Sequence, residues 1–284
     1  MKKIEDLIEL LDLERIEENI FRGQSHFTSW KRVYGGQVLA QALHAAYQTV
    51  PGDRFVHSMH GYFILAGRID MPIVYDVDRI RDGGSFTTRR IVAIQNGKAI
   101  FNAAASFQLE QEGLDHQISM PNVPPPETLV ADEKIIEKFK SQMSEAHWSL
   151  YKNRPIEFRQ VEKFDPLNQQ KSEPFRHVWF RSKGQVRGTK VTHQELLAYA
   201  SDYNLLVTAA LPHLDQLKRQ ELFFASLDHA MWFHRDFRID DWLLYAIDSP
   251  SASNSRGFAR GNIFTRNGVL VASVVQEGLM RKLR

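Results

Sequence analysis

The chain repeats itself at a fixed distance, and this restricts its architecture more than any local pattern does. Residues 68–78 carry Arg68-Ile69-Asp70 followed by Tyr75 and Asp78, and residues 238–248 carry Arg238-Ile239-Asp240 followed by Tyr245 and Asp248, an offset of 170. Arg90 matches Arg260 at the same offset, Asn96-Gly97 matches Asn267-Gly268 at 171, and Tyr62-Phe63 matches Trp232-Phe233 upstream. Solenoid repeats have periods of about 20–50 residues. A period this long implies two copies of one domain, which suits a length of 284 residues.

Composition narrows the function classes. A hydrophobic content of 43% and a charged content of 25% are ordinary for a globular chain, and a net charge of +2 gives no electrostatic case for a nucleic-acid partner. The absence of cysteine excludes disulfides, thiolate nucleophiles and Cys-ligated metals. The start, Met1-Lys2-Lys3-Ile4-Glu5-Asp6, is too charged for a signal peptide. No apolar run approaches the roughly 20 residues of a membrane span, and the end, Arg281-Lys282-Leu283-Arg284, is not a Ser-Lys-Leu signal. The expectation is a soluble cytoplasmic protein without a membrane partner.

Local periodicity predicts the same unit twice. Residues 4–20 read as an amphipathic helix and Gln37 to Tyr47 as a buried one, apolar or small nearly all round. Strands follow at 56–64, 73–79, 85–94 and 99–107, the last two joined by Asn96-Gly97, a type I′ hairpin signal. Pro121, Pro124, Pro125 and Pro126 stiffen a linker that runs on as a charged helical stretch to about Met143. The second copy has extended segments at 158–161 and 177–182, then a helix from Thr192 to about Leu206, capped by Thr192 with Glu195. Its strands are expected at 223–233, 242–247, 257–265 and 269–276, and an insertion of Leu211 to Leu222 is expected on the surface. These readings divide the chain into 1–115, a linker of 116–155, and 156–284.

No dinucleotide fingerprint, phosphate-binding loop or Gly-x-Ser-x-Gly elbow occurs. Ser149-x-x-Lys152 and Ser201-Asp202-Tyr203-Asn204 touch a penicillin-binding pattern but lack its Lys-Thr-Gly partner. His57 and His60, like His229 and His234, have odd spacing in strands, which points their side chains to opposite faces and argues against a metal.

Aligning the copies isolates their polar differences. With Gln37 set on Gln194, Asp202 stands where the first copy has Ala45; with the Asn-Gly pairs aligned, Gln276 stands opposite Ala105. Polar groups on buried elements cost free energy unless paired. Ser226 is a third such group, and convergence of Asp202, Ser226 and Gln276 would form a site. Arg235, Arg256 and Arg260 are candidates for phosphate contacts, and Trp232, Phe233 and Phe258 for an apolar lining.

Gly35-Gly36-Gln37-Val38, His60-Gly61-Tyr62-Phe63, Arg81-Asp82-Gly83, Ser201 to Asn204, Asp228 to Arg235, Ala252 to Phe258 and Val275-Gln276-Glu277-Gly278 form an ordered set over nearly the whole chain. Together they strongly resemble the acyl-CoA thioesterase II family of bacterial double-hotdog thioesterases. The resemblance implies an α+β fold of two tandem hotdog domains, each an antiparallel sheet wrapped around a central helix. It implies hydrolysis of fatty acyl-CoA to free acid and CoA, with no cofactor and no metal, in a homo-oligomer (dimer or tetramer). It also implies a water held by an Asp, a hydroxyl residue and a Gln, which fall on Asp202, Ser226 and Gln276. The family usually has Thr at the second position, and serine drops the methyl that restricts its rotamer. Two rivals are an enoyl-CoA hydratase or dehydratase using Asp228-His229, and a non-catalytic acyl-CoA binding module. Adjacent strand residues face opposite ways, which disfavours the first.

Overall fold

The alternating segments of both copies pair into one antiparallel sheet. The computed structural model describes residues 3–26, 32–152, 154–167, 170–215 and 221–283. The first copy comprises α1 (Ile4–Leu11), β1 (Glu14–Glu17), β2 (Ile20–Gly23), α2 (Gly35–Tyr47), β3 (Arg54–Phe63), β4 (Ile73–Asp82), β5 (Phe86–Gln95) and β6 (Lys98–Leu109). The connecting segment holds α3 (Asp132–Glu137) and α4 (Glu145–Lys152). The second copy comprises β7 (Ile156–Gln160), β8 (Phe175–Ser182), α5 (Lys190–Ser201), β9 (Leu222–Ser226), β10 (Asp228–Phe233), β11 (Leu243–Ser253), β12 (Arg256–Thr265) and β13 (Leu270–Lys282).

Among the described residues the strand order is β1-β2-β4-β5-β6-β3-β10-β13-β12-β11-β8-β7, with β9 on the far end of β13. The copies meet edge to edge at β3 and β10. There Tyr62 pairs with Asp228 and Ser58 with Trp232. Each of these pairs becomes the other when the copies are exchanged at an offset of 170, so the junction is a pseudo-two-fold. The sheet wraps α2 and α5, which lie against each other and are buried on most of their surface. Val38, Leu39 and Leu43 of α2 and Leu196 and Leu197 of α5 share one apolar cluster with strands of both copies. Removing one such leucine side chain costs about 2–5 kcal/mol.

Several local expectations are corrected. The first helix stops at Leu11, and residues 14–23 form a hairpin whose second strand pairs with β4. Edge pairing there overrides the helical period. Helix α5 begins at Lys190 after Thr189 and ends at Ser201, so Thr192 lies inside it and Glu195 bonds His44 Nδ1 at 3.0 Å instead of capping. The charged stretch after the prolines breaks into short helical turns. Leu211, Leu214 and Leu222 of the insertion are buried in a small cluster with Phe224 and Met280, while 216–220 fall outside the described residues. The expected strand 223–233 is interrupted at Leu227.

The histidine argument also changes. The register of β3 shifts between Val56 and Ser58. A bulge resets the two-residue alternation. His57 then bonds Ser106 Oγ at 2.8 Å and His60 packs edge-on against Trp232, both on the outer face. Asn96 and Gly97 have φ of +50° and +69°, the pair of left-handed residues a type I′ turn requires.

The linker lies over the outer face of the second copy. Gln117 brackets the end of β13 through Gly268 O and Leu270 N, Trp179 Nε1 donates to Pro124 O, and Arg159 donates to Pro126 O and Leu129 O. Met120, Val123 and Leu129 cover an apolar patch of Trp179, Trp242, Leu244, Phe264 and Leu270.

Candidate active site

The C-terminal end of α5 abuts the N-terminal end of α2, and the candidate residues gather at that junction. Helix α5 ends because Asn204 takes a left-handed φ of +65°, a conformation Asn tolerates better than most residues. Asp202 is the C-cap residue, directly after the last helical residue, Ser201. Gly35 and Gly36 allow the close approach. A Cβ on Gly36 would fall 2.3 Å from Tyr199 O, and one on Gly35 would fall 2.8 Å from Asp202 Oδ2.

The Gly36 N–H donates to Asp202 Oδ2 at 3.0 Å. This is one of the orphan donors of a first helical turn, at the positive end of the helix dipole, where a carboxylate is favoured. Burial nevertheless dominates and pushes the Asp202 carboxyl above its ordinary value, with the Gln276 and Gly36 hydrogen bonds opposing that shift. The Gly36 N–H is thus engaged by Asp202.

Gln276 is fully buried on β13. Its Nε2 lies 2.8 Å from Asp202 Oδ1, 3.1 Å from Ser226 Oγ and 3.3 Å from His229 Nδ1. Its Oε1 is buried and has no hydrogen-bond partner in the structure. Ser226 ends β9 opposite Gly278, next to the break at Leu227. The three residues singled out from the sequence thus meet around one amide nitrogen.

Tyr34, Tyr199 and Tyr203 pack around this point, with Tyr34 and Tyr203 ring centroids 4.8 Å apart. Burial, then the charge of Asp202, pushes the Tyr34 hydroxyl up, so it stays neutral.

His229 was missed as a site residue. Its ring is buried, bonds Gln276 on one side and Ser201 Oγ at 2.9 Å on the other, and burial lowers its pKa to about 3. Asp228 instead accepts from Glu277 N–H at 2.6 Å, so the two neighbours form no dyad. The candidate arginines are engaged elsewhere. Arg235 binds Leu270 O, Asp115 and His116 O, and Arg260 pairs with Asp248 at 3.0 Å. Arg256 pairs with Glu277 at 2.8 Å, in register beside the Ser226–Gly278 pair. Phe233 joins the core and Trp232 faces outward against His60. Among the described residues no group of three or more His, Asp or Glu is placed to hold a metal.

Two sequence-family models match the chain. One, described as acyl-CoA thioesterase, matches residues 146–279, and one described as acyl-CoA thioesterase N-terminal domain matches 25–108. Acyl-CoA thioesterase 2 of Haemophilus influenzae is 39% identical, covering 98% of each chain. Human acyl-coenzyme A thioesterase 8 is 42% identical, over 96% of this chain and 88% of its own. The chain belongs to the acyl-CoA thioesterase II family. The crystal structure of acyl-CoA thioesterase II from Mycobacterium marinum superposes with a TM-score of 0.80 at 43% identity, covering 96% of this chain and 97% of that one. This agrees with the hotdog reading of the family, two helices wrapped by one antiparallel sheet.

Proposed function

We propose that Asp202, Ser226 and Gln276 hold and activate the water with which this fatty acyl-CoA thioesterase cleaves its substrate. The observation that carries the reading is the convergence of the three side chains on the Gln276 amide, beside a buried oxygen with no protein partner. A water there can donate one proton to Asp202 and the other to Gln276 Oε1, leaving a lone pair for the carbonyl carbon. As its oxygen attacks, Asp202 takes the proton. The tetrahedral intermediate then expels the CoA thiolate, which is protonated to the thiol. Positioned general-base help of this kind contributes about 10²–10⁴-fold, and orientation of the water adds to it.

The same reading divides the chain into an N-terminal hotdog unit (1–115), a linker (116–155) and a C-terminal unit (156–284) that carries the reacting groups. It also places the protein in the cytoplasm, in fatty acid metabolism, as a homo-oligomer. No helix among the described residues is long and apolar enough to cross a membrane.

CoA release from a medium- or long-chain acyl-CoA tests the site, with Asp202→Asn expected to abolish it and Gln276→Ala to reduce it to a small but measurable rate. Unchanged release in Asp202→Asn removes the assignment. A single turnover in ¹⁸O-water separates water attack from a covalent route: label appears in the free acid if water attacks, and in the Asp202 carboxylate if Asp202 attacks first.

A further inference from the structure

Ala198 O, Ser201 and His229 stand behind Gln276 and form with it a chain of hydrogen bonds whose protons can be assigned. Ser201 Oγ lies 2.9 Å from Ala198 O. A carbonyl can only accept, so the one hydroxyl proton of Ser201 is used there. Ser201 Oγ also lies 2.9 Å from His229 Nε2, and with its proton committed it must accept. His229 therefore carries its proton on Nε2. Its ring stays neutral because burial holds its pKa at about 3. Nδ1 is then a bare acceptor, and it faces Gln276 Nε2 at 3.3 Å.

This determines which way the Gln276 amide points. Turned over, its oxygen would face both the Nδ1 lone pair and Asp202 Oδ1, two acceptors at 3.3 and 2.8 Å. In the observed sense its nitrogen faces three acceptors, Asp202 Oδ1, Ser226 Oγ and His229 Nδ1, which share its two protons. Ser226 then keeps its own proton for substrate or water, and Gln276 Oε1 is left without a protein partner.

We propose that His229 and Ser201 are positioning residues that lock the Gln276 amide and so present Oε1 to the attacking water. The proposal rests on the role given above to Gln276. The pseudo-two-fold supports a role beyond packing. His229 corresponds at the 170-residue offset to Met59, which pairs with Ala105, the counterpart of Gln276. Where the amide is missing, the imidazole is missing too, and both first-copy residues are buried in the same core.

The test is a double-mutant cycle with His229→Met, the first-copy residue, and Gln276→Ala, reading kcat and KM for CoA release alongside melting temperature. His229→Met should lower kcat by about 10–100-fold, short of the full general-base effect, with KM little changed. In the Gln276→Ala background it should cost nothing further, because its effect passes through the amide. Losses that multiply in the double variant, or an unchanged kcat in His229→Met, overturn the proposal. An unchanged kcat in Gln276→Ala instead removes the reading of the site itself. Should His229→Met fail to fold, ¹⁵N shifts of the imidazole in the unaltered protein decide. Protonation on Nε2 supports the relay, and protonation on Nδ1 overturns it. Ser201→Ala should then mix the two tautomers and lower kcat.

Discussion

The Asp202 end of the paired helices and its pseudo-two-fold counterpart share one backbone plan and differ in what they bury. Asp202, Ser226, His229 and Gln276 correspond to Ala45, Val56, Met59 and Ala105, and all four first-copy residues are buried and apolar. The register agrees with the alignment, since Val56 pairs with Phe107 as Ser226 pairs with Gly278. In the first copy Tyr47 closes the region instead. Its hydroxyl donates to Gln194 Oε1 at 2.5 Å and accepts the Val56 N–H at 2.8 Å, while Gln194 donates to Val56 O. A buried polar site is costly and survives only where each group is paired. One half keeps such a network with a single acceptor left open. The other sets hydrocarbon at the four matched positions and closes the region with Tyr47 and Gln194, which bond to each other and to the Val56 backbone.

Converting the polar half toward the apolar one should have the largest effect. Asp202→Ala should lower kcat by about 10²–10⁴-fold in a CoA-release assay. Folding raises the Asp202 pKa, so the folded state binds a proton more readily than the unfolded chain and stability falls as pH rises through that pKa. Asp202→Asn should therefore be inactive yet melt no lower than the parent at neutral pH. The acid limb of the parent's rate profile should lie above the ordinary aspartate value, because the base must be ionised.

The converse substitution, Ala45→Asp, puts a carboxylate at a fully buried position without the glutamine. By analogy with an unpaired buried charge it should cost about 3–5 kcal/mol in denaturant unfolding and add no activity. Restored turnover from that half would break the comparison. Gly35→Ala tests the junction between the helices, since its Cβ would fall 2.8 Å from Asp202 Oδ2. A shift of about 1 Å there should cost about 10²-fold in kcat with KM less affected.

The smallest effect concerns the linker, which packs on the second copy. Asp132 is buried beside Gln160 Nε2 at 3.0 Å with its other oxygen unpaired, and burial raises its pKa to about 6. Its ionisation above that pH opposes folding. Asp132→Asn should stabilise the protein by about 1–2 kcal/mol at pH 8, and the gain should vanish below about pH 4. Melting curves at the two pH values check this, with kcat expected to be unchanged.

Much of this comparison was already visible in the chain. Two-residue alternation marked the strands, Asn96-Gly97 marked its turn, and subtracting one copy from the other picked out Asp202 and Gln276. The same subtraction sets His229 against Met59, so the fourth polar group was present in the alignment but read as an ordinary strand histidine. Three features were not legible. The bulge at Val56–Ser58 turns His57 outward by adding a residue that no local pattern marks. The helical spacing read over residues 4–20 runs into the segment 14–23, which the open edge of β4 draws into a hairpin. The insertion after α5 looked external because its apolar residues pack in a small separate cluster with Ala210, Phe224 and Met280 rather than in the main core.

The sequence by itself determined that there are two copies, that each is a buried helix with an antiparallel meander, and that only one carries the polar set. Those properties follow from periodicity and from residue type at matched positions, which are local or self-referential. The tertiary structure decided that the ends of α2 and α5 meet. It thereby set Asp202 against Gly36 and Gln276 against Ser226 and His229. Such contacts join residues up to 166 positions apart, and their geometry depends on how the helices and strands pack rather than on any segment's own preference.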